Sequence, residues 1–326
     1  MNIKEVAAYA KVSVATVSRV LNDDPSVAPK TSEAVRKAIA ETGYVRSALG
    51  RNLRRAQSDV VLVVLPNMNN PFYADIAEGI DSRCKDYGLS AMACNTYGSH
   101  EKLEYFCGFI EKRQARGVII VSAPWKRDYS FLEGLPVVGC CESREDMPCA
   151  QVDIDNVQAG YDATKYLISL GAKRIALIGG GEISPSNIKR EQGYRLAMRD
   201  AGYPIDESLV VNNCYNYEQG SAVAKRILNA SPDALFAAAD EIAVSFINAA
   251  QDMGISIPDE LKIFGFDNVH YSTFVKPKLS TIDQPRYEMG VQSVDQLMRV
   301  LEGKKARTVM CQYKLIRRGS TEKGVL

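Results

Sequence analysis

Between Ser13 and Asn22 the chain spaces a set of short side chains whose chemistry suits the edges of base pairs. If Val17, Val20 and Leu21 bury one side of a helix, Val14, Ala15, Thr16, Ser18, Arg19 and Asn22 are left on or beside its outer side. Small apolar groups there fit a thymine methyl, and hydroxyl, amide and guanidinium groups reach base edges or phosphates. That chemistry needs a scaffold. Asn2, with Glu5 three residues later, predicts a capped helix start, and Ile3, Val6, Ala7 and Ala10 recur at the spacing of one apolar helical face. Lys11 and Val12 supply a turn, and Ser13 is suited to cap the second helix. These are the parts of a helix-turn-helix, although helical bundles that bind nothing use the same pattern.

Charge separates this segment from the rest. The net charge of the 326 residues is +1, yet residues 1–57 carry ten Lys and Arg against five acids, which leaves about −4 for the remainder. A basic head on a mildly acidic body suits a polyanionic partner. After Asn22, the Asp23-Asp24-Pro25 cluster ends the second helix. Pro29 fits the first turn of a third, whose Val35, Ala38 and Ile39 share a face, and Gly43 closes it. The first module therefore spans 1–46. Residues 47–57 form a short basic segment that reads as a linker, and the remaining 58–326 are long enough for about two domains.

From Val60 onward, continuous apolar runs alternate with helical spacing. Val60 to Leu65, Gly117 to Val121, Pro136 to Cys141, Ile175 to Ile178, Ala234 to Ala238 and Lys262 to Phe266 predict strands buried on both faces. The fold class expected is a small all-α head plus an α/β core of two doubly wound parallel-sheet subdomains. Enzyme signals are weak. Gly179-Gly180-Gly181 lacks the full dinucleotide fingerprint, and the two histidines, His100 and His270, stand far apart with no metal spacing or serine elbow. No cofactor and no metal are expected. The eight cysteines lie mostly in apolar segments without a CxxC pair, which predicts buried reduced thiols. With no signal-peptide pattern and no run of about twenty apolar residues, a cytoplasmic protein without membrane contact is expected.

The stretches IKEVAAYAKVSVATVSRVLN and VAPKTSEAVRKAIAETGY resemble the LacI/GalR family of bacterial transcription regulators, and the likeness extends along the whole chain. It implies a repressor, homodimeric on a pseudo-palindromic operator, and a periplasmic-binding-protein-like core that binds a small-molecule effector such as a sugar or related metabolite. It also implies a hinge in 47–57 whose Leu53 enters the minor groove, with Arg51, Arg54 and Arg55 near phosphates. Three crossings, near Gln158, Pro285 and Arg317, would divide the core into 58–157 plus 286–317 and 158–285 plus 318–326. By position the effector contacts would be Phe72, beside Tyr73, together with Asp155, Arg190, Asp267 and Gln284. Trp125, the single tryptophan, follows a strand and is a further cleft candidate.

The chain departs from the family pattern at several points. Arg46 and Gly50 replace a usual proline and a better helix former, Ala239 replaces an asparagine, and Cys141-Glu142 replace an Asp-Arg pair. Those last changes weaken the expectation of a plain aldose. The core alone would equally suit a solute-binding protein that feeds a transporter, and the same fold would also serve a regulator whose signal is a partner protein. Arg318 is followed by no leucine heptads of the kind that add a tetramerising helix, so a dimer is expected.

Overall fold

The structure, a computed structural model, describes residues 2–44, 58–123, 128–142, 144, 146–180 and 184–324. The chain divides into two units, residues 1–58 and 59–326. Among its described residues the first holds three helices, α1 (Ile3–Tyr9), α2 (Val14–Val20) and α3 (Pro29–Thr42). Asn2 Oδ1 accepts from the amides of Lys4 and Glu5 at 2.9 and 3.2 Å, while the Glu5 carboxylate accepts from the Asn2 amide at 2.9 Å. This capping box satisfies orphan amides at the start of α1. Lys11 and Asp23 turn the chain at positive φ, and Gly43 ends α3 in the left-handed conformation (φ 62°). Val6, Ala7, Val17, Val20, Val35 and Ala38 make the small core.

The second unit contains twelve strands: β1 (Val60–Leu65), β2 (Ser90–Asn95), β3 (Gly117–Ile120), β4 (Val137–Cys140), β5 (Ala150–Ile154), β6 (Ile175–Gly180), β7 (Val210–Asn212), β8 (Ala234–Ala237), β9 (Lys262–Asp267), β10 (Ser280–Asp283), β11 (Val309–Cys311) and β12 (Lys314–Ile316). They form two six-stranded sheets, ordered β11-β5-β4-β3-β1-β2 and β12-β10-β9-β8-β6-β7. Every pairing is parallel except β10 with β12. The helices are α4 (Pro71–Asp86), α5 (His100–Glu111), α6 (Asn156–Ser169), α7 (Pro185–Asp200), α8 (Tyr217–Asn229), α9 (Asp240–Asp252) and α10 (Arg286–Leu301). Among the described residues, no helix is long and apolar enough to cross a membrane.

The apolar runs are strands because both faces of each sheet are covered. In the first sheet Leu62, Val64, Val118 and Ile120 pack with Leu103 and Cys107 of α5, while Val61, Val63 and Ile119 pack with Ile76, Ile80 and Leu297 of α4 and α10. Each half also contains one helix pair held at very short range. A Cβ on Gly79 of α4 would collide with the Tyr287 carbonyl of α10, and one on Gly290 with the Ile76 carbonyl. The same arrangement recurs where Gly160 of α6 and Gly193 of α7 meet. All eight cysteines are free thiols, and six are buried.

The chain passes between the sheets after β5, at Asp155, and again between β10 and α10. Its third crossing lies between Cys311 and Lys314, upstream of the position near Arg317 that the sequence suggested. Thr281, Ile282 and Asp283 pair with Ile316, Leu315 and Lys314, so β12 belongs to the second sheet. Strands β2, β5, β7, β10, β11 and β12 carry only short or polar-interrupted apolar runs. β2 is an exposed edge, β5 buries Asp153, which accepts from the Ile154 amide, and β10 buries Thr281, whose hydroxyl donates to distant Asp240.

Candidate functional site

In the helical unit, the Ser13 hydroxyl accepts from the Thr16 amide at 3.1 Å and lies 2.9 Å from the Thr16 hydroxyl. Thr16 is therefore engaged in capping α2. Val14, Ala15, Arg19 and Asn22 are exposed and Ser18 is half-buried, so α2 presents a mixed apolar and polar outer side while Val17 and Val20 are buried. Arg36 of α3 holds Asp23 at 2.6 Å, tying the end of α2 to the third helix. The Ser26 amide and hydroxyl at Asp24 keep that carboxyl below its ordinary range. Arg51, Leu53 and Arg54 lie outside the described residues, as does Trp125.

In the core, a cavity of about 120 Å³ opens between the carboxyl ends of the two sheets, the place where open α/β sheets hold ligands. The first half contributes Asn70, Phe72 and Tyr73 at the start of α4, and Cys141 and Glu142 after β4. The second contributes Ser184, Ser186, Asn187 and Arg190 at the start of α7, then Tyr215, Ala238, Ala239, Ile242 and Asp267. Phe72, Tyr73, Arg190 and Asp267, four of the residues singled out in the sequence, thus share one cavity.

Arg190 is 7% exposed. Its Nε donates to Asn156 Oδ1 at 2.9 Å and its Nη1 to the Ala238 carbonyl at 2.6 Å, with Nη1 4.0 Å from Asp267 Oδ1. Its guanidinium also stacks 3.7 Å above the centroid of Phe266. Burial draws its pKa down, but neighbouring carboxylates oppose that shift, and a guanidinium stays charged in any case. Burial pushes the Asp267 carboxyl up to about 6, against the pull of Arg190, Arg286 and the Gln284 amide. Asp267 has φ 112°, a conformation a side chain rarely adopts. Arg286 maintains it by donating to the carbonyls of Asp267 and, at 3.1 Å, Asn268, while its Nε donates to Asp75 of α4 at 2.8 Å.

Two candidates sit elsewhere. Asp155 is exposed and caps α6 by accepting from the Gln158 amide at 2.9 Å; its neighbour Asn156 is the residue that reaches Arg190. Gln284 lies behind the wall, donating to Asp267 Oδ1 at 2.7 Å, and its Oε1 is buried without a partner among the described residues. Buried Asp240 accepts from Thr281 at 2.6 Å and from the Val269 amide at 2.9 Å, bracing the turn after Asp267. Burial raises its carboxyl well above the usual range.

Glu142, Ser184, Ser186, Asn187 and Tyr215 were not singled out as cavity residues from the sequence. Glu142 accepts from Ser122 at 2.7 Å and, across the cleft, from Ser184 at 3.0 Å, and lost solvation raises its carboxyl. Burial, with Glu142 nearby, holds the Tyr73 phenol far above its ordinary value. Ser186 donates across the cleft to the Cys141 carbonyl at 3.0 Å. A signal for the serines did exist: S-P-S-N follows a glycine-rich strand end, where helix starts face a ligand crevice.

Residues 2–47 match the family model described as bacterial regulatory proteins, lacI family, and residues 58–319 match periplasmic binding proteins and sugar binding domain of LacI family. The chain is 34% identical to the HTH-type transcriptional repressor CytR of Escherichia coli (strain K12), over 98% of this chain and 96% of that one. It is 33% identical to Catabolite control protein A of Priestia megaterium, over 92% of each. Among solved structures, the transcriptional regulator CelR–cellobiose complex superposes with TM-score 0.75 at 29% identity, covering 98% of this chain and 99% of that one. The Lac repressor dimer bound to operator and the anti-inducer ONPF shares the fold at TM-score 0.90 and 24% identity, with the same coverage. With a helix-turn-helix unit and a two-sheet core each matched over nearly its full extent, the chain belongs to the LacI family and is a DNA-binding transcription regulator, not an enzyme.

Proposed function

We propose that this regulator is a homodimeric repressor whose affinity for a pseudo-palindromic operator is set by a small molecule held in the cleft of the core. The observation that carries the reading is the cavity itself: Phe72 and Tyr73 from one half meet Arg190 and Asp267 from the other, so a ligand there touches both halves at once. A ligand bound to both favours one arrangement of the halves, and it moves the equilibrium only through unequal affinity for the two arrangements. Val14, Ala15, Ser18, Arg19 and Asn22 are the proposed base- and phosphate-contacting residues, and two such helices in a dimer read major grooves about one turn apart. In the hinge, Arg51, Leu53 and Arg54 are proposed contacts carried by family resemblance alone.

Selecting operators from random DNA, then screening metabolites for release of the selected site, tests the reading as a whole. Arg19→Ala tests the helix: loss of a bidentate guanine contact is expected to cost about 1 to 3 kcal/mol in operator binding and to relax base preference. Equal affinity of variant and parent in a gel-shift titration would remove Arg19 from the interface.

A further inference from the structure

Resting on the reading of the cleft as an effector site, we infer that its ligand is a small organic cation, with an ammonium or comparable N–H group anchored on Glu142 and its body against Phe72 and Tyr73. Among the described residues, three charged side chains line the cavity: Arg190, Asp267 and Glu142. The first is already matched. Arg190 stands 4.0 Å from Asp267, and Asn156, its Nε partner, donates in turn to the buried Asp153 at 3.1 Å. Two of its N–H groups are committed to Asn156 and Ala238, and the guanidinium lies on Phe266, so part of its bonding capacity is used before a ligand arrives.

Glu142 is in the opposite position. Both carboxylate oxygens accept from serine hydroxyls, which are neutral, and no cationic side chain among the described residues forms an ion pair with it. Arg190 on the opposite wall draws on this carboxylate from a distance without pairing with it, so a carboxylate bonded only to hydroxyls still gains from a cation brought into contact, in low dielectric more than it would in water. The wall beside it favours the same charge. The Phe72 and Tyr73 rings stand edge to face at 5.4 Å and 80°, offering π surface to a cation next to the carboxylate.

An independent feature marks the cavity as built for a polar guest. Asn187 is 8% exposed and lines the cavity, and its side-chain amide makes no hydrogen bond among the described residues. An amide on the cavity wall offers a ligand both a donor and an acceptor. Ser184 and Ser186, by contrast, are already occupied in bridging the halves. At about 120 Å³ the cavity is well below the roughly 300 Å³ at which pockets for drug-sized ligands begin, so the guest is small.

Calorimetry on the full chain tests this with a panel of small metabolites that includes charge-matched series: glucosamine, glucose and glucuronate, and tyramine, 4-ethylphenol and 4-hydroxyphenylpropionate. Cations are expected to bind at least tenfold more tightly than their neutral and anionic counterparts. Glu142→Gln is expected to erase that preference with the fold retained by thermal melting. Ser184→Ala, which releases one Glu142 oxygen, is expected to strengthen cation binding two- to tenfold, and it keeps the test open should Glu142→Gln fail to fold. A panel whose binders are neutral or anionic, or a cation preference that survives Glu142→Gln, overturns the cation assignment while leaving the effector reading intact. A panel without any binder overturns both.

Discussion

The two halves of the core share a scaffold and differ in what they bring to the cleft. In each, a glycine-mediated helix crossing packs against a parallel sheet, α4 with α10 in the first half and α6 with α7 in the second. The second half, however, buries a polar network behind its wall: Asn156, tied back to Asp153 of the first sheet, to Arg190, then Asp267 to Gln284, and Asp240 to Thr281. The first half offers two rings and Glu142, held by hydroxyls. Groups fixed in this way need no reordering when a ligand arrives, so the second half is the preorganised side of the cavity. A few side-chain bonds join the two halves among the described residues: Ser184 to Glu142, Ser186 to the Cys141 carbonyl, Asn156 to Asp153, and Arg286 to the carbonyls of Asp267 and Asn268. A closure that rests on so few contacts is one a ligand can shift by a few kcal/mol.

If the scaffolds are equivalent, Gly79→Ala and Gly193→Ala are expected to be similarly and severely destabilising, because each added methyl meets the backbone of the partner helix rather than a side chain that can move. A loss of about 3 kcal/mol or more is expected for each, read as a fall in the denaturant midpoint of the core. A large loss at only one site would break the equivalence.

Asp267→Asn tests the polar half. The folded state raises this carboxyl from 3.8 to about 6, so the native chain binds the proton more tightly than the unfolded one. The penalty is therefore absent below about pH 4, grows as pH rises through that window, and is complete above about pH 6, where it amounts to about 3 kcal/mol. Asn cannot ionise. At pH 7 the variant is expected to melt no lower than the parent, at pH 4 to show no advantage, and at both to bind effector poorly. A variant much less stable than the parent at pH 7 would show that the Arg190 pairing outweighs the desolvation of Asp267.

The smallest effect is expected at the crossing bonds. Ser186→Ala removes one hydrogen bond between the halves and is expected to cost about 1 kcal/mol or less of stability. Its effect on effector response is expected to exceed its effect on melting, since the bond belongs to one arrangement of the cleft. Equal effects on both would assign Ser186 to general packing.

How far the sequence revealed these features depended on distance along the chain. The head was legible because its signals are local: Asn2 with Glu5, Ser13 with Thr16, and Gly43 all act within a few residues. The central strands were legible from their apolar runs, whereas β5 was hidden by buried Asp153, held by its neighbours, and β10 by Ser280 and Thr281, buried polar residues satisfied by distant partners. At the cleft, Arg190 and Asp267 came through family resemblance. Asp155 came through the same resemblance, yet only the fold distinguishes the cap from its neighbour Asn156, which faces Arg190. Glu142 stood out as a departure from the family pattern, but its place on the cavity wall depends on two chain segments meeting across the cleft.

The central claim is that occupancy of the cleft alters the grip on DNA. Its most direct test is an operator titration of the full chain, without ligand and at saturation with a ligand that calorimetry has shown to bind the core. A change of at least tenfold in operator affinity is predicted, lost when Arg190 is replaced by Ala. Ligand bound at saturation in the cleft with operator affinity unchanged would contradict the account.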